Sequence, residues 1–99
     1  EGLSDIDQAI ALMPDNARAH LLRGVTRLEL GDAAGALEAH DTAIRLDPES
    51  AEAYAARAQT YERLGRFAEA LRDAERARAG GHPIQEEYLE TLRRAAATR

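Results

Sequence analysis

Along most of this chain, apolar residues recur at the three- and four-residue spacing of helices buried on one side. The first such segment carries Leu3, Ile6, Ile10 and Met13, the next Leu21, Val25 and Leu28, a third Leu37 and Ile44, and the last Ile84, Tyr88 and Leu92. Residues that stop and start helices separate them. Pro14, Pro48 and Pro83 break a helix, and Gly31 and Gly65 can take the left-handed conformation that ends one. Asn16, Asp32 and Ser50 stand where a side-chain oxygen can accept from the free N–H groups of the next first turn. The pattern predicts an all-α chain. Its helices run from Ala17 to about Leu30, from Asp32 to about Leu46, from Ser50 to the Gly65 turn, from Phe67 to Ala79, and from Ile84 to about Ala97, behind an N-terminal helix ending at Pro14. The helix at Phe67 lacks an Asp or Ser cap and should fray, and Gly80-Gly81-His82-Pro83 should be the most flexible linker.

The segments repeat. Shifting residues 17–50 by 34 positions lays them on residues 51–84 with ten identities, among them Ala17 with Ala51, Arg23 with Arg57, Leu30-Gly31 with Leu64-Gly65, Ala36-Leu37 with Ala70-Leu71, and Ala43 with Ala77. The same offset joins Ile10 to Ile44, Pro14 to Pro48 and Tyr54 to Tyr88, so one register governs the whole chain. A glycine midway between two apolar-periodic segments makes each copy a helical hairpin, and fixed-period hairpins stack as a solenoid. The chain is therefore a single domain, residues 1–99, in four parts: the second helix of a truncated repeat (1–16), a full repeat (17–50), a second full repeat (51–84) and a C-terminal capping helix (85–99).

His20 or Tyr54, Gly24 or Ala58, Tyr61, Ala36 or Ala70, Ala43 or Ala77, and Pro48 together resemble the tetratricopeptide repeat, in which aromatic and small residues alternate over 34 positions. The resemblance covers nearly every residue. It implies an α-solenoid of antiparallel hairpins wound as a right-handed superhelix, with successive first helices lining a concave face that holds peptides or a partner's helix. Departures occur at Arg23 and Arg57, which replace a leucine, at His20, which replaces a bulky aromatic, and at Arg27, which replaces a tyrosine. The two arginine stems are expected to pack while their guanidinium groups reach water. Leu92 stands where earlier repeats keep Gly24 and Ala58 small, as suits a terminal helix.

Charge narrows the partners. A formal net charge of -5, without a basic stripe, argues against nucleic acid. The longest apolar run, residues 9–13, is too short to enter a bilayer as a span. With no cysteine there is neither disulfide nor thiol chemistry, so the compartment stays open, the cytoplasm slightly favoured. The chain starts with Glu1 rather than Met, which reads as an excised piece: either its first helix pairs with something upstream, or that helix is a cap that leaves a modest apolar edge exposed.

Candidate chemistry is thin. His20, His40 and His82 do not share the spacing of a metal site; His20 is expected to fill the aromatic slot, His40 to pack beside it or be partly exposed, and His82 to lie in a linker. Carboxylate pairs such as Glu38 with Asp41, or Asp73 with Glu75, have arginines at helical spacing and read as solvated helix faces rather than acid–base pairs. Ser4 and Ser50 lack a nearby His with an orienting acid, and no glycine-rich loop follows a strand. No catalytic, cofactor or metal residue is assigned, and the chain is expected not to be an enzyme.

What remains is recognition. In the family register Arg18, Leu21, Val25 and Leu28 line the concave side of the first full repeat, and Glu52, Ala55, Gln59, Glu62 and Arg63 that of the second. Periodicity allows Leu21, Val25 and Leu28 to be core as readily as groove. The expected function is protein–protein interaction, binding a peptide or partner protein, with Glu52 and Glu62 favouring a ligand that carries Lys or Arg. Family members that clamp a chaperone's terminal carboxylate use Lys and Asn where this chain has Leu21, Val25, Ala55 and Gln59, which disfavours that role. The alternative is an architectural segment that self-associates weakly through an edge formed by Leu3, Ile6 and Ile10.

Overall fold

A computed structural model describes the backbone of residues 2–98 and the side chains of residues 5–98. Every regular element among the described residues is a helix: α1 (Gly2–Leu12), α2 (Ala17–Glu29), α3 (Ala33–Leu46), α4 (Ala51–Arg63), α5 (Phe67–Ala79) and α6 (Glu86–Ala97). The caps do what their chemistry allows. Asn16 Oδ1 accepts from the backbone N–H groups of Arg18 and Ala19, Asp32 Oδ1 from Gly35 at 2.9 Å, and Ser50 Oγ from Ala53 at 3.2 Å. Arg66, which precedes α5, offers no side-chain cap; its guanidinium instead grips Glu69 in the first turn at 2.6 and 2.7 Å. Gly31 and Gly65 take positive φ of 86° and 75°, and the residue after each donates back to the helix, Asp32 N–H to Arg27 O and Arg66 N–H to Tyr61 O, which closes the turn. The last helix starts two residues later than the apolar spacing suggests. Pro83 and Ile84 stay outside it, Ile84 still packs on the core, and Leu89 joins Leu92 as a fully buried anchor.

The helices form antiparallel hairpins, α2 on α3 and α4 on α5, with α1 stacked before them on α2 and α6 after them on α5. The result is an elongated body of 42 × 26 × 18 Å. At the crossings the side chains are small: Ala36, Ala43, Ala58, Ala70, Ala74 and Ala77 are all at most 1% exposed. Helix axes can approach closely only where the side chains between them are short. The two hairpins divide the available volume differently. Ala58 and Ala74 lie in one buried cluster of the second hairpin, whereas the corresponding pair in the first is Gly24 and His40, and a Cβ on Gly24 would overlap the imidazole ring.

His40 is therefore a core residue, not a partly exposed one. Both of its ring nitrogens are buried without a hydrogen-bond partner, and burial pushes its pKa down to about 4, with Asp41 opposing and Arg57 assisting the shift. Arg57 also departs from the expectation that its head reaches water. It forms a bidentate pair with Asp73, Nε to Oδ2 at 2.7 Å and Nη2 to Oδ1 at 3.0 Å, and donates from Nη1 to Asp41 at 3.0 Å. Asp73, read from the sequence as part of a solvated face, is buried, because the two arms of this arginine replace its water. Arg23 is the counterpart of Arg57, but its own second helix has Ala39 in place of Asp73. It pairs instead with Asp7 at 3.2 Å, out of line for a hydrogen bond, so that its Nε stays buried and unsatisfied. His20 occupies the aromatic slot as expected. Its Nε2 lies 2.9 Å from Pro14 O, as the Tyr54 hydroxyl lies 3.0 Å from Pro48 O one repeat later.

Two measurements test this packing. Ala36→Leu and Ala70→Leu should each overfill a crossing, at a cost of roughly 1 to 3 kcal/mol, and lower the melting temperature by about 5 °C or more; unchanged melting in both would contradict the assigned crossings. For His40 the unfolded chain takes up a proton near the ordinary value of 6.5, while the folded chain resists until about 4. The stability tied to a neutral His40 is thus complete above about pH 6.5 and is lost progressively as the pH falls towards about 4. In His40→Leu the melting temperature should vary less between about pH 6.5 and pH 5 than in the parent, and an equal slope would assign the acid sensitivity to other groups.

Candidate functional site

Successive first helices of a hairpin stack stand side by side, so residues 34 apart in sequence become neighbours on one face. Here α2, α4 and α6 hold these places. Three hollows along them share residues and merge into one trough. The first is lined by Arg18, Leu21 and Glu52, with Asp47 and Ser50 at its rim. The second adds Val25, Ala55, Ala56, Gln59 and His82. The widest, about 630 Å³, is lined by Leu28, Gln59, Glu62, Arg63, Phe67 and Tyr88. The structure thus brings together all nine residues singled out from the sequence: Arg18, Leu21, Val25, Leu28, Glu52, Ala55, Gln59, Glu62 and Arg63.

Their surroundings differ from one another. Leu21 is core, packed with Ala43 and Ala53, whereas Val25 is 36% exposed and Leu28 half-buried. The apolar stripe that periodicity left undivided is therefore core at Leu21, open surface at Val25 and intermediate at Leu28. Arg18 Nη1 donates to Glu52 Oε1 at 2.8 Å, so the carboxylate expected to attract a basic ligand already has a cationic partner within the chain. Deeper along the trough the Tyr88 hydroxyl donates to Glu62 Oε1 at 3.0 Å. Burial, with the nearby carboxylate, drives the Tyr88 phenol well above its ordinary pKa, so the ring stays neutral and a hydrogen-bond donor. Arg63 and Gln59 form no side-chain hydrogen bond or ion pair among the described residues.

Three further residues line the trough beyond the nine. His82, assigned to the linker, is half-buried and lines the middle hollow. Phe67 reaches the wide hollow from the start of α5, and Tyr88 from α6. The 34-residue register was the available signal for Tyr88, which is the counterpart of Tyr54; nothing in the sequence signals that a second-helix residue such as Phe67 would join a trough built by first helices. At the N-terminal edge, Leu3 lies outside the residues whose side chains are described. Ile6 and Ile10 are half-buried, since α1 packs on α2, and the apolar exposure falls instead on Leu12 and Met13.

Hairpins of this length, stacked with small residues at their crossings and first helices along one trough, define a helical-repeat solenoid. Residues 26–65 match the family model of the TPR repeat, and the chain as a whole has the fold of such a repeat solenoid. Among solved structures it is similar to the first TPR of Spaghetti (RPAP3) bound to the HSP90 peptide SRMEEVD, with a TM-score of 0.84 and 22% identity over 97% of this chain and 75% of that one. It is also similar to the TPR2B domain of yeast Sti1 in its complex with pHsp70, with a TM-score of 0.82 and 22% identity over 98% of this chain and 82% of that one. No curated protein matches the sequence. No helix among the described residues is long and apolar enough to cross a membrane.

Tyr88→Phe isolates the bond at the floor of the wide hollow. Losing a hydrogen bond to a carboxylate should cost about 1 to 2 kcal/mol, seen as a lower midpoint in urea with an unchanged slope. Equal midpoints for parent and variant would show that the phenol contributes only through its ring.

Proposed function

We propose that this chain is a non-enzymatic interaction module that binds an extended peptide, or a partner's helix, in the trough formed by α2, α4 and α6. The observation that carries the reading is the contrast inside the trough. Arg18 and Glu52 satisfy each other at one end, while at the other Arg63 and Gln59 have no side-chain partner among the described residues and stand beside Val25, Leu28, Phe67 and Tyr88. Unpaired polar groups next to half-exposed apolar ones recognise a ligand with an apolar anchor flanked by polar backbone. Glu62 retains Oε2 as an acceptor for a donor on the ligand, and Arg63 offers a guanidinium to a carboxylate or carbonyl.

One structural relative is bound to an HSP90 peptide and the other is in complex with pHsp70, and this supports binding of a peptide or partner protein as the role here. Their ligands are another matter. This chain contains no lysine, and Arg18, the only cation lining the first hollow among the described residues, is already paired with Glu52. An acidic terminal peptide such as SRMEEVD should therefore bind weakly, whereas a segment with an apolar anchor and mixed charge should bind in the micromolar range, as expected for a small interface. The test is a peptide selected from a display library on this chain, titrated by NMR with SRMEEVD as the comparison. Shifts at Val25, Leu28, Gln59, Glu62 and Tyr88, and weaker binding on Val25→Glu, are expected. Shifts confined to Glu38, Arg45, Arg72 and Arg76 on α3 and α5 would move the site to the opposite face and overturn the proposal.

A further inference from the structure

The charged side chains lining the three hollows of the trough are Arg18, Asp47, Glu52, Glu62 and Arg63. Arg18 and Glu52 hold each other, and Glu62 accepts from the Tyr88 hydroxyl. Asp47 and Arg63 are different. Both are exposed, and neither has an ion-pair partner among the described residues. Asp47 Oδ1 accepts only from the backbone N–H of Glu49, at 3.3 Å, which leaves Oδ2 open.

The bond that engages Glu62 is an exception to the repeat. His20 and Tyr54 each reach a carbonyl six residues back, that of Pro14 and that of Pro48, and the same step from Tyr88 leads to His82. The linker before α6 carries its proline one position later than Pro14 and Pro48 in the 34-residue register, and α6 begins at Glu86, one position later than Ala17 and Ala51. The Tyr88 hydroxyl turns to Glu62 instead. This leaves one unpaired charge at each end of the trough, a carboxylate in the first hollow and a guanidinium in the widest.

Geometry fixes the span between them. Asp47 lies just before α4 and Arg63 is its last residue, and 13 helical residues at about 1.5 Å each separate the two ends by about 20 Å. The three hollows follow α4 in order, so successive hollows lie on average about 7 Å apart. An extended chain places every second side chain on one face at about that interval, whereas a helix repeats at about 5.4 Å. A span of about 20 Å is about six steps of extended chain, hence about seven residues.

We propose that the trough takes an extended seven-residue segment ordered by charge. A basic side chain meets Asp47, a small apolar one fills the middle hollow beside Val25 and Ala55, a larger apolar one enters the wide hollow between Leu28 and Phe67, and an acidic one meets Arg63. The proposal rests on the peptide-binding reading above and adds the order and spacing of the ligand's side chains. Glu52 and Glu62 border the middle of the segment, which is therefore free of acidic residues.

The probe is the acetylated and amidated peptide Arg-Thr-Ala-Thr-Leu-Thr-Glu, with a control that has glutamine at both ends. Titrated into the chain and followed by NMR at low salt, the charged peptide should bind about tenfold more tightly than the control, about threefold from each end, as exposed ion pairs allow. Asp47→Asn keeps an acceptor for the Glu49 N–H, and Arg63 is exposed and unpaired among the described residues, so Asp47→Asn and Arg63→Gln should both fold. Each should cost about threefold for the charged peptide and nothing for the control. A nitroxide replacing the acetyl group, at the arginine end, should broaden the signals of Leu21 and Ser50 more than those of Arg63 and Tyr88. Equal affinity for the two peptides, variants that bind the charged peptide as the parent does, broadening strongest at Tyr88, or no shifts at millimolar peptide would each overturn the charge order, and that alone if a library-selected peptide still shifts Val25, Gln59 and Tyr88. Library-peptide shifts confined to α3 and α5 would overturn the trough itself and this proposal with it.

Discussion

Everything in this molecule depends on how closely its helices cross. The crossings are built from alanine and glycine, so the axes lie near, but each buried side chain contributes little apolar area. Such a core tolerates little variation in volume. Where the second hairpin sets Ala58 and Ala74 together, the first fits an imidazole only because Gly24 withdraws its own side chain. The exchange carries an electrostatic cost that alanine would not. His40 has two polar nitrogens in a place with no donor or acceptor for either, and it remains in the core only as the neutral form.

Polar rungs supplement the small core. Arg23 with Asp7, Arg57 with Asp41, and Arg93 with Glu75 each tie a first helix back to the second helix before it, at 3.2, 3.0 and 3.8 Å. Only the second hairpin adds an internal acid, Asp73, and only there do tyrosines interleave with arginines. Arg76 lies over Tyr54, Arg57 between Tyr54 and Tyr61, and Arg66 over Tyr61, at 4.8 to 5.7 Å from the ring centroids. Cation–π contacts are worth roughly 0.5 to 1 kcal/mol each at such partly exposed sites, so the ladder reinforces one repeat and not the other. With His20 and Arg27 at the tyrosine positions and Ala39 at the acid position, the first hairpin is the less reinforced of the two.

The helices were legible in the sequence because independent signals agree at each boundary: apolar period, capping side chain, glycine turn and proline stop. The face that would form the trough was legible too, since a fixed offset of 34 residues dictates which side chains become neighbours. The environment of each residue was not. Periodicity tells which way a side chain points but not what meets it there, and that decided the cases that differed. Leu21 meets Ala43 and Ala53 and is core, whereas Val25, one turn on, meets solvent. Arg57 looked like a surface arginine with a packed stem, because its partner Asp73 lies 16 residues away on another helix. His82 looked like linker, because only the fold brings that linker to α4. The late start of α6 has a local cause: Pro83 and the extended Gln85 hold Ile84 outside the helix while its side chain still reaches the core.

The two ends of the body are unlike in surface chemistry. At the C-terminal end α6 turns Leu89 and Leu92 entirely inward and presents Glu87, Glu90, Thr91 and Arg94 outward. At the N-terminal end α1 and the residue after it expose Ala9, Leu12 and Met13. Open head-to-tail growth needs two complementary faces on one molecule. The polar outer face of α6 and the apolar residues at α1 are not complementary in this sense. The trough does not draw on either end alone: Leu28 comes from α2, Gln59, Glu62 and Arg63 from α4, Phe67 from α5 and Tyr88 from α6, so the widest hollow exists only because both hairpins and the last helix are stacked in one register.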